Sequence, residues 1–151
     1  MLYLAFVIGI VAGLRAMLAP AAIAWAARLG WLDLHGSWLA FLGYRWTAPI
    51  VTLAAIAEIV NDKLPKTPSR KVPPQFAVRV LSGALCGAAI GIAAGMAWLG
   101  LLLGAAGAVA GTLGGAAARG ALARAFGRDL PAALIEDVIA LVAAALIAQA
   151  L

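Results

Sequence analysis

The chain has little of what soluble enzymes depend on. It contains six acidic residues, and only 11% of its residues are charged, against about a quarter in an average soluble domain. His35 is the single histidine and Cys86 the single cysteine, which excludes an intrachain disulfide and a zinc site built from several such side chains. No Walker loop, nucleophile elbow or dinucleotide-binding glycine motif occurs. We therefore expect no metal, no cofactor and no standard catalytic site, and enzymatic activity is the weaker expectation.

What the chain has instead is apolar sequence. Hydrophobic residues make up 66% of it, too many for a surface in water but suited to lipid. A bilayer has a hydrocarbon core of about 30 Å, which a helix of about 20 apolar residues crosses. The 151 residues therefore predict one all-α domain, a polytopic transmembrane helix bundle.

The apolar runs predict five membrane spans. Between Arg79 and Arg119 lie 39 uncharged residues, about 58 Å as a single helix, so this run is divided into two spans with a turn near Gly95–Gly104. The five predicted spans cover residues 2–27, 45–62, 79–98, 101–120 and 131–151.

The basic residues predict the orientation of these spans. Loop 63–78 with Arg79, and the segment 119–128, together carry eight basic residues, whereas the opposite side carries only Arg28 and Arg45. Basic residues concentrate in cytoplasmic loops, so the N-terminus is predicted to be cytoplasmic and the C-terminus to lie outside. The basic residues are not interleaved with aromatic ones that could stack bases, which argues against nucleic acid as a partner.

Glycines recur every four residues in the third and fourth predicted spans, a spacing that lets helix backbones approach closely in lipid. Packing inside one bundle is our main interpretation, and the seam of a homo-oligomer is the alternative. Gly95 continues the spacing of the third span. The glycines proposed for helix packing are Gly83, Gly87, Gly91, Gly107, Gly111 and Gly115.

Five charged residues fall inside predicted spans and form a candidate cluster. Each such charge costs about 2.5–3.5 kcal/mol on insertion scales and raises a functional hypothesis. Either the charges pair only to neutralise one another, Arg15 with Glu58 or Glu136, or the carboxylates form a cation or proton site. The cluster is Arg15, Glu58, Asp62, Glu136 and Asp137.

Arg15 is followed by Pro20, which removes a backbone hydrogen bond and frees a carbonyl. A charge beside a helix break is a recurring arrangement at ion and substrate sites. We therefore expect a distortion near Pro20 within an otherwise continuous first span.

The proline-rich segment after Asp62 is the most distinctive polar part of the chain. Its basic and hydroxyl side chains are candidate contacts for a phosphate or an anionic lipid headgroup on the cytoplasmic side; an ordinary cytoplasmic loop is the alternative. The candidates are Lys63, Lys66, Ser69, Arg70 and Arg79.

Several of these motifs occur together in one known family. They are Gly13-Leu14-Arg15-Ala16 with Ala19-Pro20, the run from Glu58 to Pro65 continuing through Thr67-Pro68-Ser69-Arg70, Arg79 with the Gly-Ala pairs at 83 and 87, and Glu136-Asp137. On these motifs the chain resembles the bacterial membrane proteins catalogued as domain of unknown function 4126. Asn61 departs from the small residue expected there. The resemblance implies a multi-pass protein of the bacterial inner (plasma) membrane and implies no mechanism.

The leading functional hypothesis is a channel-like or transporter-like conductor of a small ion or proton. Its ligands would be the carboxylates of the candidate cluster. A lipid-binding or scaffold protein, assembled through the glycines, is the alternative from another class. A membrane enzyme acting on a phosphorylated lipid through Lys63, Lys66, Ser69 and Arg70 is the third.

Overall fold

The computed structural model describes residues 1–64 and 71–151. Within these residues the chain is all-α, as predicted, and contains no strand. A short 3-10 helix, Ala40–Gly43, lies between the second and third α-helices. The six α-helices are α1 (Leu2–Leu14), α2 (Leu18–Arg28), α3 (Thr47–Asn61), α4 (Pro73–Ala93), α5 (Ala97–Phe126) and α6 (Asp129–Gln149).

Three of these helices, α4, α5 and α6, are long and apolar enough to cross a membrane. The apolar helices α1 and α3 have 13 and 15 residues. At 1.5 Å per residue they reach about 20 and 22 Å, less than a hydrocarbon core of about 30 Å. The fold is therefore that of a membrane protein, built from three long helices and several shorter ones.

The long uncharged run is divided at Ala94–Met96, at the start of the predicted turn region. Gly95 has a φ of 71°, a left-handed conformation that costs glycine least. Gly95 therefore belongs to the turn, although it continues the four-residue spacing of the glycines that pack α4 against α5.

Helices α4 and α5 pack backbone against backbone through glycines. A Cβ built at Gly83 would lie 2.7 Å from the carbonyl oxygen of Gly104, and one at Gly87 would overlap the carbonyl oxygen of Gly100. Residues later in α4 contact residues earlier in α5, so the two helices are antiparallel. Gly91 packs on the start of α5 in the same way.

Helix α1 packs on a second glycine-lined side of α5. Gly107 contacts the backbone of Phe6, and Gly111 contacts that of Ile10. Both contacts advance together along the two helices, which therefore run parallel. The two glycine rows thus contact helices of the same chain, and Gly115, at the end of its row, is only half-buried.

The predicted first span, residues 2–27, is not one helix. After α1 the chain reverses at Arg15–Met17, and α2 leads back toward the end of the bundle where α1 begins. Its start lies beside α4, where Ser82 binds the carbonyl of Ala16. The loop that follows α2 reaches the α4–α5 turn, because Trp38 lines a cavity there with Ala97 and Trp98.

Pro20 does not break a helix, contrary to our expectation. It is the third residue of α2, where a backbone N–H has no partner within the helix and its loss costs little. The break comes five residues earlier, at Arg15, whose extended backbone (φ −141°, ψ 109°) ends α1.

The loop predicted at 63–78 is also shorter than expected. Helix α4 begins at Pro73, so residues 73–78 are helical. A proline in the first helical turn gives up an N–H that would have no helical partner, and its fixed φ suits a helix start. The prolines at 73 and 74 therefore begin a helix and do not continue the predicted loop.

The helix directions define two ends of the bundle. The basic end contains the end of α3, the start of α4 and the α5–α6 turn. The terminal end contains Met1, the α2–α3 connection and the α4–α5 turn, and Gln149 lines a pocket there with Trp31. Both chain termini lie at the terminal end, whereas five full spans would have placed them at opposite ends. The difference arises because residues 2–27 enter the bundle and return.

Candidate functional site

The reversal at Arg15–Met17 exposes backbone groups that neighbouring side chains satisfy. Arg79 on α4 donates from Nη1 to the carbonyl oxygens of Gly13 (2.9 Å) and Leu14 (2.6 Å). The Ser82 hydroxyl, one turn later, donates to the carbonyl of Ala16. A cation at the C-terminal end of α1 also complements the negative end of the helix dipole.

Glu58 on α3 caps the start of α2 by accepting hydrogen bonds, whereas Arg79 caps the end of α1 by donating them. Its two carboxylate oxygens accept from the backbone N–H groups of Ala16 and Met17, at 2.8 Å each. A carboxylate is favourable there because a helix N-terminus carries partial positive charge. Oε1 of Glu58 also lies 3.5 Å from Nη2 of Arg79, so the two capping side chains are linked. Glu58 binds the backbone and not the guanidinium of Arg15.

Arg15 is fully buried at the tip of the reversal. Its Nε donates to Oδ1 of Asp137 at 2.7 Å, and its Nη2 donates to Oδ2 of Asp62 at 2.9 Å. Its partners are therefore the two aspartates, not Glu58 or Glu136 as expected. Nη1 has no hydrogen-bond partner among the described residues.

Two further cations share these aspartates. Arg119, near the end of α5, donates from Nη1 to Oδ2 of Asp62 at 2.6 Å and binds Asp129 through Nε and Nη2. Lys63 donates to Oδ2 of Asp137 and, at 3.1 Å, to the carbonyl of Ile59. Each aspartate therefore bridges Arg15 to a cation nearer the basic end.

We call these connected side chains the ion-pair network. Glu136 joins it through Arg119, whose Nη1 lies 3.6 Å from Oε2. The network contains five of the six acidic residues of the chain. Its members are Arg15, Glu58, Asp62, Lys63, Arg79, Arg119, Asp129, Glu136 and Asp137.

The buried members of the network, Arg15, Arg79, Glu136 and Asp137, lie inside the bundle, whereas the side chain of Asp129 is 62% exposed. Arg79 is the seventh residue of α4 and Asp137 the ninth of α6, about 9–12 Å along each helix from its start. Charges at such a depth are tolerated when they are paired and hydrogen-bonded. Among the described residues there is no group of three or more His, Cys, Asp or Glu side chains that could hold a metal ion.

Of the five residues predicted to contact a phosphate or lipid headgroup, the structure describes two, Lys63 and Arg79. Arg79 is buried within the reversal, and Lys63 is engaged with Asp137 while remaining partly exposed. Lys66, Ser69 and Arg70 lie outside the described residues. The segment therefore contributes at least one cation to the ion-pair network.

Sequence reasoning missed four polar residues of the site, namely Ser82, Thr112, Arg119 and Asp129. Arg119 was read only as a charge in a cytoplasmic segment, because it ends an uncharged run. Ser82 and Thr112 stand alone within apolar runs, which is the signal that would have found them. The Thr112 hydroxyl contacts the carbonyls of Ala108 (2.8 Å) and Gly13 (3.2 Å).

Comparison with known proteins identifies the family but no relative of known activity. No curated protein and no solved structure matches the chain. One family model, described as "Domain of unknown function (DUF4126)", matches residues 2–150. This match includes all six α-helices and every member of the ion-pair network, and it confirms the resemblance seen in the sequence motifs. The chain belongs to the family of domain of unknown function 4126.

Proposed function

We propose that the protein conducts a small cation or a proton through a membrane, and that the reversal with its ion-pair network is the ion-handling site. The observation that supports this most is Arg15, a fully buried guanidinium at the tip of two short helices, held by carboxylates of two other elements. Ionisable side chains inside a membrane are costly and typical of ion and proton pathways. Discontinuous helices form the binding sites of many transporters.

Asp62 and Asp137 are the proposed ligands. Both bind Arg15, and each also holds a cation that is less buried, Arg119 or Lys63. Carboxylate oxygens suit hard cations and protons. An entering cation would replace the Lys63 ammonium on Asp137, because the side chain of Lys63 is the most exposed of the network's four cations, at 24%.

This proposal narrows the set of four carboxylates expected from the sequence. Both oxygens of Glu58 accept backbone N–H groups, so this side chain is assigned to holding the reversal. Glu136 lies farther from Arg119 than Asp62 does, at 3.6 Å against 2.6 Å. The two aspartates are therefore the carboxylates whose replacement should change conduction most.

Flux measurements in liposomes test the proposal. The reconstituted protein should carry H⁺, Na⁺ or K⁺ down an imposed gradient, and Asp137→Asn should abolish that flux. Asp33→Asn is the matched control, because Asp33 is an exposed carboxylate in the α2–α3 connection, far from the network along the bundle. No flux of any of the three ions through the wild-type protein, or equal flux through both variants, would refute the proposal.

The same proposal includes an orientation. Basic residues concentrate on the cytoplasmic side of membrane proteins, so we place the basic end in the cytoplasm. Because residues 2–27 enter the bundle and return, this places both termini outside, and the proposal thus replaces the cytoplasmic N-terminus expected from five spans. The family suggests the inner membrane of a bacterium as the location. The described basic residues at the basic end are Lys63, Lys71, Arg124 and Arg128, and those at the terminal end are Arg28 and Arg45.

A further inference from the structure

A groove of about 760 Å³ lies between α3 and the start of α4. Helix α3 packs mainly against α2 and the 3-10 helix, and its buried residues are Ala48 and Ala55. The side of α3 that faces the groove is apolar and open, with Leu53, Ile56 and Val60 each more than half exposed. In a bilayer this wall meets hydrocarbon chains.

The basic-end part of the same groove is polar and carries opposite charges on its two walls. The α3 wall contributes the carboxylates of Glu58 and Asp62, and the α4 wall contributes the amide of Gln75 and the guanidinium of Arg79. A site of this size, with an apolar wall toward one end and polar side chains toward the other, has the features of a pocket for an amphiphilic ligand.

We propose that the groove binds a zwitterionic phospholipid with a primary-amine headgroup. One acyl chain lies along the apolar face of α3, the ammonium group donates to Asp62, and the phosphate accepts from Gln75 and faces Arg79. Charge complementarity selects this lipid, because the acidic wall suits an ammonium group and the donor-bearing wall suits a phosphate.

Asp62 has acceptor capacity left for such a headgroup. Arg15 and Arg119 both bind its Oδ2, and each carboxylate oxygen has two lone pairs. A trimethylated choline headgroup has no N–H to donate, and a glycerol headgroup has no cation. Each should therefore bind more weakly than ethanolamine.

Native mass spectrometry after extraction from equimolar phosphatidylethanolamine, phosphatidylcholine and phosphatidylglycerol tests this selection. We expect the bound lipid to be enriched about tenfold in phosphatidylethanolamine over phosphatidylcholine, as a lost hydrogen bond to a charged group predicts. Equal retention of the three lipids, or retention of phosphatidylglycerol alone, would overturn the assignment of the headgroup.

A substitution that fills the groove tests its location. Ala57 lines the groove and is not a member of the ion-pair network, so Ala57→Trp should reduce bound lipid about tenfold. Ala110→Trp, on the exposed face of α5, is the control and should retain the lipid. Unchanged retention in Ala57→Trp would show that the lipid binds elsewhere and would overturn the proposal.

Gln75→Leu provides a second variant that leaves the apolar wall intact. It removes a phosphate donor, so retention of all three lipids should fall while any preference for the amine headgroup persists. Lipid retention unaffected by Gln75→Leu would contradict the placement of the phosphate. These outcomes are independent of ion flux, because they report on bound lipid in the purified protein.

Discussion

Two regions of the molecule hold their helices together by opposite means. In the glycine-packed core, α1, α4 and α5 meet backbone to backbone, so closely that Gly104 has no room for a Cβ. At the reversal, the elements meet through charges: Arg15, which ends α1, binds Asp62 at the end of α3 and Asp137 on α6. In lipid there is no hydrophobic driving force for helix association, so the helices are held together by van der Waals packing and polar contacts. Helix α3, which has few buried residues, is left beside an open groove.

This comparison predicts different sensitivities in the two regions. The reversal should fail when charge is lost, and the core should fail when volume is added.

Arg15→Met should be the most damaging single change. It leaves Asp62 and Asp137 without their buried partner, and removal of one partner from a buried ion pair costs about 3–5 kcal/mol. Chemical unfolding in detergent measures the loss. Adding Asp62→Asn and Asp137→Asn should restore much of the stability without restoring flux; if the triple variant stays as unstable as Arg15→Met, uncompensated charge is not the cause.

Gly104→Leu should destabilise the core by about 3 kcal/mol, at the upper end of the usual cost of overpacking, because its Cβ would overlap the backbone of Gly83. Gly114→Leu, on the same helix, is the matched control, since a Cβ there meets nothing within 4 Å. Midpoints of thermal unfolding should separate the two variants. Similar midpoints would mean that the close α4–α5 contact does not limit stability.

Glu58→Gln should cost about 1–2 kcal/mol, the value of a helix cap. The amide keeps one oxygen acceptor for Ala16 or Met17 but loses the charge at the start of α2. Ion flux in the folded fraction should persist, which separates Glu58 from Asp137. Abolished flux with unchanged stability would make Glu58 a ligand instead.

Arg45→Gln should have the smallest effect, below about 0.5 kcal/mol. Its guanidinium stacks 5.0 Å from the ring of Trp46 in the exposed α2–α3 connection, outside both regions. Denaturant midpoints equal to those of the wild type are expected. A loss comparable to that of Glu58→Gln would show that the connection contributes as much as the reversal.

The sequence identified most of the charged residues of the site but not their pairing. A charge inside an apolar run is visible in sequence, which is why Arg15, Asp62 and Asp137 could be selected. Which carboxylate meets Arg15 depends on the directions of the helices, and those depend on where the first span breaks. The break was predicted at the wrong residue, Pro20, because the sequence does not show whether a proline disrupts a helix or lies in its first turn.

The spacing of the glycines likewise identified the packing face of each helix but not the face of the neighbouring helix that it contacts. A spacing of four selects one face of a helix, so Gly83 and Gly87 could be assigned to packing. The same spacing continues to Gly95, which forms a turn, and it does not reveal that Gly100 and Gly104 are the opposing residues. Opposing faces are matched only when the turn between two helices is known.

The reversal at Arg15–Met17 is tested most directly by cysteine accessibility. Cys86, the one native cysteine, is fully buried and is replaced by alanine; single cysteines then replace Tyr3, Arg128 or Gln149, and a membrane-impermeant maleimide is added from one side. Our account predicts that positions 3 and 149 are labelled from the same side and position 128 from the other. Labelling of positions 3 and 128 from the same side, with 149 opposite, would mean that residues 2–27 cross the membrane as one span and would contradict it.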